Sequence, residues 1–384
     1  MSAYQAIGKH FVSAKVVTRL IRARHKFDWI DGAKPDRDRL QRFLSIALDK
    51  VDGSYDYASY CGLQVLDLPD GQMADLTARE KGRLRDIMLV ALMADLARFE
   101  VRASTGVEHR SPGMRPEPAR AMARIRIALA VIRPSLERMG YQTPRKAVST
   151  PEGITRLLDR FNSQIDPETR AQVARSLLPV HTLHDEIMFL RTLQAFEVNF
   201  AWIAVHLRNA VVLLAADPDA ALERLREATG VLQETLRLMP LIGSMQPEAF
   251  HDFRRFTEGA SAIQSSGYKA VEALCARPSV DRVDSPAYRS VPKVQSEVRA
   301  GMGTLEDAML EARAAGRIPH TIDSDLVEAM SAFSDLLLKW RRAHFEIARR
   351  VLGGLEGTGY TEGVPYLDRV RDLPVFPRFE RDQS

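Results

Sequence analysis

A single histidine, His344, interrupts a long apolar stripe. Leu326, Met330, Phe333, Leu337, Trp340, His344, Ile347 and Val351 recur at alternating spacings of four and three. That period puts them on one inward face of a helix, with Arg341, Arg342, Arg349 and Arg350 on its other faces. A neutral imidazole on such a face is either a satisfied core residue or a metal ligand. Gly353-Gly354 stops the helix. Gly357-Thr358-Gly359 follows, a loop able to turn backbone N–H groups and a hydroxyl towards an anion. Together, the imidazole and the loop are what a haem iron and an acidic ligand would need. A core histidine followed by an ordinary helix cap is the plainer alternative.

Three further segments carry residues of similar interest. Tyr57-Ala58-Ser59-Tyr60 is followed by Leu63 and Leu66. His184-Asp185-Glu186-Ile187-Met188-Phe189 is followed by Phe196-Glu197. Phe250-His251-Asp252-Phe253-Arg254 is followed by Ala260-Ser261-Ala262-Ile263-Gln264-Ser265. In chain order these resemble the amino-terminal tyrosine motif, the central buried helix and the substrate-carboxylate segment of the tryptophan 2,3-dioxygenase family. The stretch from Trp340 to His344, with Gly353-Gly354, Gly357-Thr358-Gly359 and Tyr366-Leu367, resembles that family's carboxyl-terminal signature. The resemblance covers roughly residues 184–370 and a short piece near 57–66.

The resemblance implies an all-α helical bundle around a haem pocket. Haem b (iron protoporphyrin IX) would have His344 as its axial ligand, with O2 as co-substrate. It also implies an aromatic amino-acid substrate. Arg254 would pair with the substrate carboxylate, and Thr358 would meet its ammonium and carboxylate region. Phe189 would line the ring pocket, and Tyr57 and Tyr60 would be lent by a neighbouring subunit. The plainer readings are a surface arginine beside Arg255, core packing at Phe189 and a structural turn at Tyr57 and Tyr60. A homo-oligomer, dimer or tetramer, is expected on the same ground.

Three positions depart from the family pattern. Leu193 stands where the family has a distal histidine that hydrogen-bonds the indole N–H, Phe250 replaces a tyrosine, and Tyr360 replaces a glycine. Leucine offers no acceptor, so a buried indole N–H beside it would go unpaired, at a cost of about 1–3 kcal/mol. Indoleamine dioxygenases also lack that histidine, so ring cleavage stays open. The expected function is a haem-dependent dioxygenase acting on the indole C2–C3 bond of L-tryptophan or a modified tryptophan. Two alternatives stand beside it. One is a monooxygenase or rearrangement enzyme of specialised metabolism acting on a tryptophan or tyrosine derivative. The other is a haem-binding protein without catalysis, which would need no amino-acid clamp.

Composition sets wider bounds. The chain has 384 residues, 45% hydrophobic and 27% charged, with a net charge of +4, as in soluble globular proteins. Its pI is near 9.0, but the charges are interspersed and no aromatic-basic or zinc pattern accompanies them, so no nucleic-acid partner is expected. Cys61 and Cys275 are far apart, which implies no disulfide framework and makes a cytoplasmic location the default. No C-x-x-C-H occurs, so covalent haem attachment is not indicated. No run of 18 apolar residues exists, so no membrane span is expected. Lys9, Lys15, Arg19, Arg22, Arg24 and Lys26 precede the first acid. They faintly suggest a transit peptide, but Lys15 and Arg19 break the apolar run, and an ordered arm is preferred.

The elements that must position these residues are helices almost throughout. Three- and four-residue spacing predicts them over 37–51, 77–103, 118–139 and 155–161. Residues 184–214 are apolar nearly all round and predict a helix buried on most sides. Asp217-Pro218 caps a further helix, 304–315 is a short one and 323–353 the long one. Residues 278–294 are expected to form a loop. His181, His184, Asp185 and Glu186 match no standard zinc or di-iron spacing and are expected to be caps and first-turn acids. The chain is accordingly divided into 1–66, an amino-terminal helical arm with the tyrosine motif; 67–180, an inserted helical region; 181–372, a haem-binding catalytic core; and 373–384, a tail.

Overall fold

A computed structural model of the chain describes residues 2–26, 34–70, 76–106, 113–142, 150–353 and 363–381. Among them the protein is all-α, with no strand and a single isolated bridge between Gly113 and Leu183. The helices used below are α1 (Ala14–His25), α2 (Lys34–Asp52), α3 (Tyr57–Tyr60), α4 (Ala78–Ser104), α5 (Pro118–Arg138), α6 (Pro151–Gln164) and α7 (Pro167–Arg175). They continue with α8 (His184–Leu213), α9 (Pro218–Leu236), α10 (Pro247–Arg254), α11 (Ser266–Cys275), α12 (Leu305–Ala314), α13 (His320–Leu352) and α14 (Val364–Arg371).

Local chemistry explains the boundaries. Asp166, Asp217 and Thr304 each accept the backbone N–H three residues ahead and start α7, α9 and α12. Proline at the first position of α5, α6, α7, α9 and α10 costs no hydrogen bond there. Residues 278–294, expected as loop, instead hold short helices at Val280–Val283 and Pro286–Arg289 and the start of Pro292–Arg299. Each begins at a serine or just before a proline, residues that read as breakers in sequence but start helices when the next turn packs.

The contacts divide the chain into two compact units. The first comprises Met1–Leu68, Asp86–Ala195 and Pro240–Ser261. Here α1 lies on α2, and Tyr4, Ile46, Ala47, Val65 and Leu178 form one core that takes Val16 and Leu20 of α1. The second comprises Pro69–Arg85, Phe196–Met239 and Ala262–Ser384. Here α9 and α14 both pack against α13. The apolar stripe of α13 is buried at Leu326, Met330, Phe333, Leu337, Trp340 and Val351. His344 and Ile347 keep partial exposure. No helix among the described residues is long and apolar enough to cross a membrane.

Candidate functional site

In the first unit, α8 and α10 bring the ring-facing candidates together. Phe189 of α8 has its ring 5.9 Å from Phe250 and 5.7 Å from Phe253. Leu193, one turn along α8, is buried in a cluster with Tyr57, Tyr60, Cys61, Ile187, Leu190 and Ala260, against which Phe189 packs. The tyrosine segment, the aromatic of the central helix and the residue at the distal position therefore share one apolar cluster. Arg254 ends α10, one turn after Phe250, and is partly buried. Thr358 and Tyr360 lie outside the described residues.

Two polar networks hold these elements, and neither was foreseen from the sequence. Arg124 of α5 is fully buried and donates to Asp185 at 2.8 Å and Glu100 at 3.3 Å. The same guanidinium reaches the Ser244 Oγ and carbonyl, both at 2.9 Å. Asp185 also accepts the Gln246 N–H at 2.6 Å, the residue that caps α10. His184 Nε2 stands 3.0 Å from Glu100, and its ring stacks on Phe99. A guanidinium buried with two carboxylates is tolerable only with such full partnering. It fixes the start of α8 against the start of α10.

Glu186 anchors the other network. Its two oxygens accept the N–H groups of Val180 at 2.6 Å and His181 at 2.8 Å. Complete burial pushes its carboxyl up to about 8, against the pull of those N–H groups, Tyr60 and Lys9. Burial, and then the charge of Glu186 beside it, lift the Tyr60 hydroxyl well above its ordinary pKa. Asp185 and Glu186 are first-turn acids, as expected, and with His184 they are also fully buried anchors of the interior. No group of three or more His, Cys, Asp or Glu residues among the described residues is placed to hold a metal ion.

In the second unit, His344 stacks on Trp340 at 5.3 Å with the rings 26° apart, and Trp340 stacks in turn on Tyr268 at 4.7 Å. Phe200 meets the Trp340 ring edge-on at 5.5 Å. Burial alone lowers the His344 imidazole to about 4, so it is neutral at physiological pH. Part of the residue's surface stays open. The buried Trp340 indole N–H has no partner among the described residues. Gly267, in the first turn of α11, allows this approach of α11 to α8. A Cβ there would stand 2.9 Å from Glu197 Oε2 and 3.0 Å from Phe200 Cβ.

Arg341, off the stripe, is nevertheless buried, donating to Tyr268 Oη at 2.9 Å, the Leu373 carbonyl at 2.7 Å and Glu272 at 3.2 Å. Glu272 also takes Lys269 at 2.8 Å and Arg282. Despite its burial, these three cations hold its carboxyl far below the ordinary range. Such a site is invisible to a period count, because the guanidinium reaches an interior carboxylate from a flank of the stripe.

The chain is similar in sequence to several proteins named tryptophan 2,3-dioxygenase. That of Polaromonas sp. (strain JS666 / ATCC BAA-500) is 24% identical over 233 residues, covering 52% of this chain and 79% of that protein. That of Polaromonas naphthalenivorans (strain CJ2) is 24% identical over 235 residues, covering 52% and 83%. That of Burkholderia ambifaria is 23% identical over 238 residues, covering 52% and 76%. No family model matches the chain.

Proposed function

We propose that this chain is a divergent member of the tryptophan 2,3-dioxygenase superfamily, as its similarity to proteins of that name supports, and on that premise that it is a haem-dependent oxygenase of L-tryptophan or a modified tryptophan. The observation that carries the reading is His344. A neutral imidazole on a half-buried residue, braced by a stacked tryptophan, suits the iron of haem b. The unpartnered Trp340 N–H beside it is a polar group still lacking a ligand among the described residues. These residues fit the group. When bound, haem with O2 supplies the oxygen chemistry at the indole C2–C3 bond.

The chain's own residues supply binding and orientation. Arg254 clamps the amino-acid carboxylate, a planar fork matched to it; Thr358, which lies outside the described residues, is assigned to the ammonium and carboxylate end by the family resemblance alone. Phe189 and Phe250 hold the aromatic ring, while Leu193 meets its nitrogen edge with hydrocarbon. That edge favours a second reading, in which the substrate nitrogen carries a substituent and the outcome is monooxygenation or rearrangement. Leu193 lies in an apolar cluster, so a bare N–H placed there loses its water partner without replacement.

The test is the ultraviolet–visible spectrum of haem-reconstituted protein, wild type and His344→Ala, titrated with L-tryptophan, 1-methyl-tryptophan and ring-substituted tryptophans. A Soret band that is lost in the variant and shifted by one of these ligands supports the reading and names the substrate class. Haem that survives His344→Ala, or no haem uptake at all, rejects it. Haem uptake with no response to any amino acid points instead to a haem-binding protein without catalysis.

A further inference from the structure

In the second unit, three cations converge on one carboxylate. Glu272 of α11 takes Lys269 at 2.8 Å, Arg341 of α13 at 3.2 Å and Arg282 of the Val280–Val283 helix. This group holds two positive charges more than it holds acids. Nearby acids are already engaged elsewhere, Asp284 with Arg299 and Glu306 with Arg378 at 2.9 Å. Burying a cation without its own counter-charge is costly, yet Lys269 is only 3% exposed.

Hydrogen-bond donors are left over as well. Arg341 has each of its three guanidinium nitrogens engaged, by Tyr268, Leu373 and Glu272. Lys269 and Arg282 each give one side-chain bond, to Glu272, of the three that an ammonium and the five that a guanidinium can donate. Tyr288, in the Pro286–Arg289 helix, is fully buried with its ring 5.2 Å from Lys269 Nζ. Its hydroxyl has no hydrogen-bond partner among the described residues, and Tyr366 of α14 brings a second such hydroxyl. Both tyrosines lie within electrostatic reach of Arg282 and of each other. Burial raises the Tyr288 hydroxyl above its ordinary pKa, so it stays protonated and able to donate. The Arg282 side chain keeps 18% exposure, which opens this edge of the cluster to solvent.

We propose that this cluster binds a phosphate group, held by Lys269, Arg282, Tyr288 and Tyr366. A phosphate dianion cancels both surplus charges, and its several oxygens can accept from all of the converging donors. A singly charged carboxylate or a chloride ion matches neither the charge nor the number of donors. The site contains neither Arg254 nor His344, so it is not the amino-acid clamp, and it does not rest on the oxygenase reading.

The full-length protein is titrated calorimetrically with inorganic phosphate, and in parallel with glycerol phosphate, at neutral pH and at constant ionic strength set with sodium chloride. Saturable binding of either is expected, and which of them binds distinguishes the free ion from a phosphate ester. Tyr288→Phe removes a hydroxyl that bonds nothing in its own chain. Its melting temperature without phosphate should therefore be unchanged or higher, while phosphate affinity falls about tenfold. Arg282→Gln leaves Glu272 with two cations and should weaken phosphate at least as much. The proposal is overturned by a lack of saturable binding of both probes, or by an affinity unchanged in either variant. A lower melting temperature of Tyr288→Phe without phosphate would also overturn it, because the hydroxyl would then already be spent on holding the fold.

Discussion

At the scale of the residue, the candidate chemistry depends on a few side chains whose environments were tuned by burial. Arg254→Ala is expected to leave the haem spectrum intact and to weaken the amino-acid-induced shift by about 10–100-fold, the worth of a charge-assisted contact at roughly 1.5–3 kcal/mol. A spectral titration reads both quantities. Leu193→His places a polar ring in an apolar cluster. It should lower the melting temperature of the unliganded protein, and L-tryptophan should restore more of that loss than 1-methyl-tryptophan, which lacks the N–H. Equal rescue by the two would remove Leu193 from the ring-nitrogen edge.

At the scale of the element, the polar anchors decide how helices meet. Arg124→Met leaves Glu100 and Asp185 buried without their cation. Breaking such a pair costs about 3–5 kcal/mol. Because Asp185 also holds the cap of α10, the variant should lose amino-acid affinity even where it remains folded. Urea denaturation and spectral titration of the same sample separate the two effects. Gly62→Ala adds both a left-handed strain and a clash with Ser176. Roughly 1–3 kcal/mol is expected from the backbone alone, and limited proteolysis should then open the chain between α2 and α4 before any other site.

At the scale of the whole molecule, two buried carboxyls set opposite limits on stability. Glu186 titrates near 8 in the fold against 4.5 in an open chain. Its stabilising contribution is therefore complete below pH 4.5 and lost progressively as pH rises through about 8. Glu272, held ionised by Lys269, Arg282 and Arg341, works the other way: its contribution is present above pH 4.5 and lost as pH falls further. Thermal denaturation across pH 5 to 8 should show declining stability in wild type and a flatter profile in Glu186→Gln. An unchanged slope in the variant would assign the decline to other groups. The Gln amide keeps only one of the two N–H acceptors, so the profile as a whole should lie lower.

Much of the architecture was legible because helices announce themselves by local rules. The stripe from Leu326 to Val351, the caps at Asp217 and Thr304, and the all-apolar run of α8 each depend on residues within a turn or two of one another. Those signals fixed the all-α class and placed His344 on an inward face. What the sequence could not contain was pairing at a distance. A period count sets Arg341 off the stripe but cannot see Glu272 or Tyr268 waiting some 70 residues away. His184, Asp185 and Glu186 read as a helix start with first-turn acids, which they are, but that reading does not contain Arg124, Glu100 or the Val180 and His181 N–H groups that surround them. Periodicity reports which face is apolar. Whether a charge finds a partner depends on contacts made only when distant segments meet.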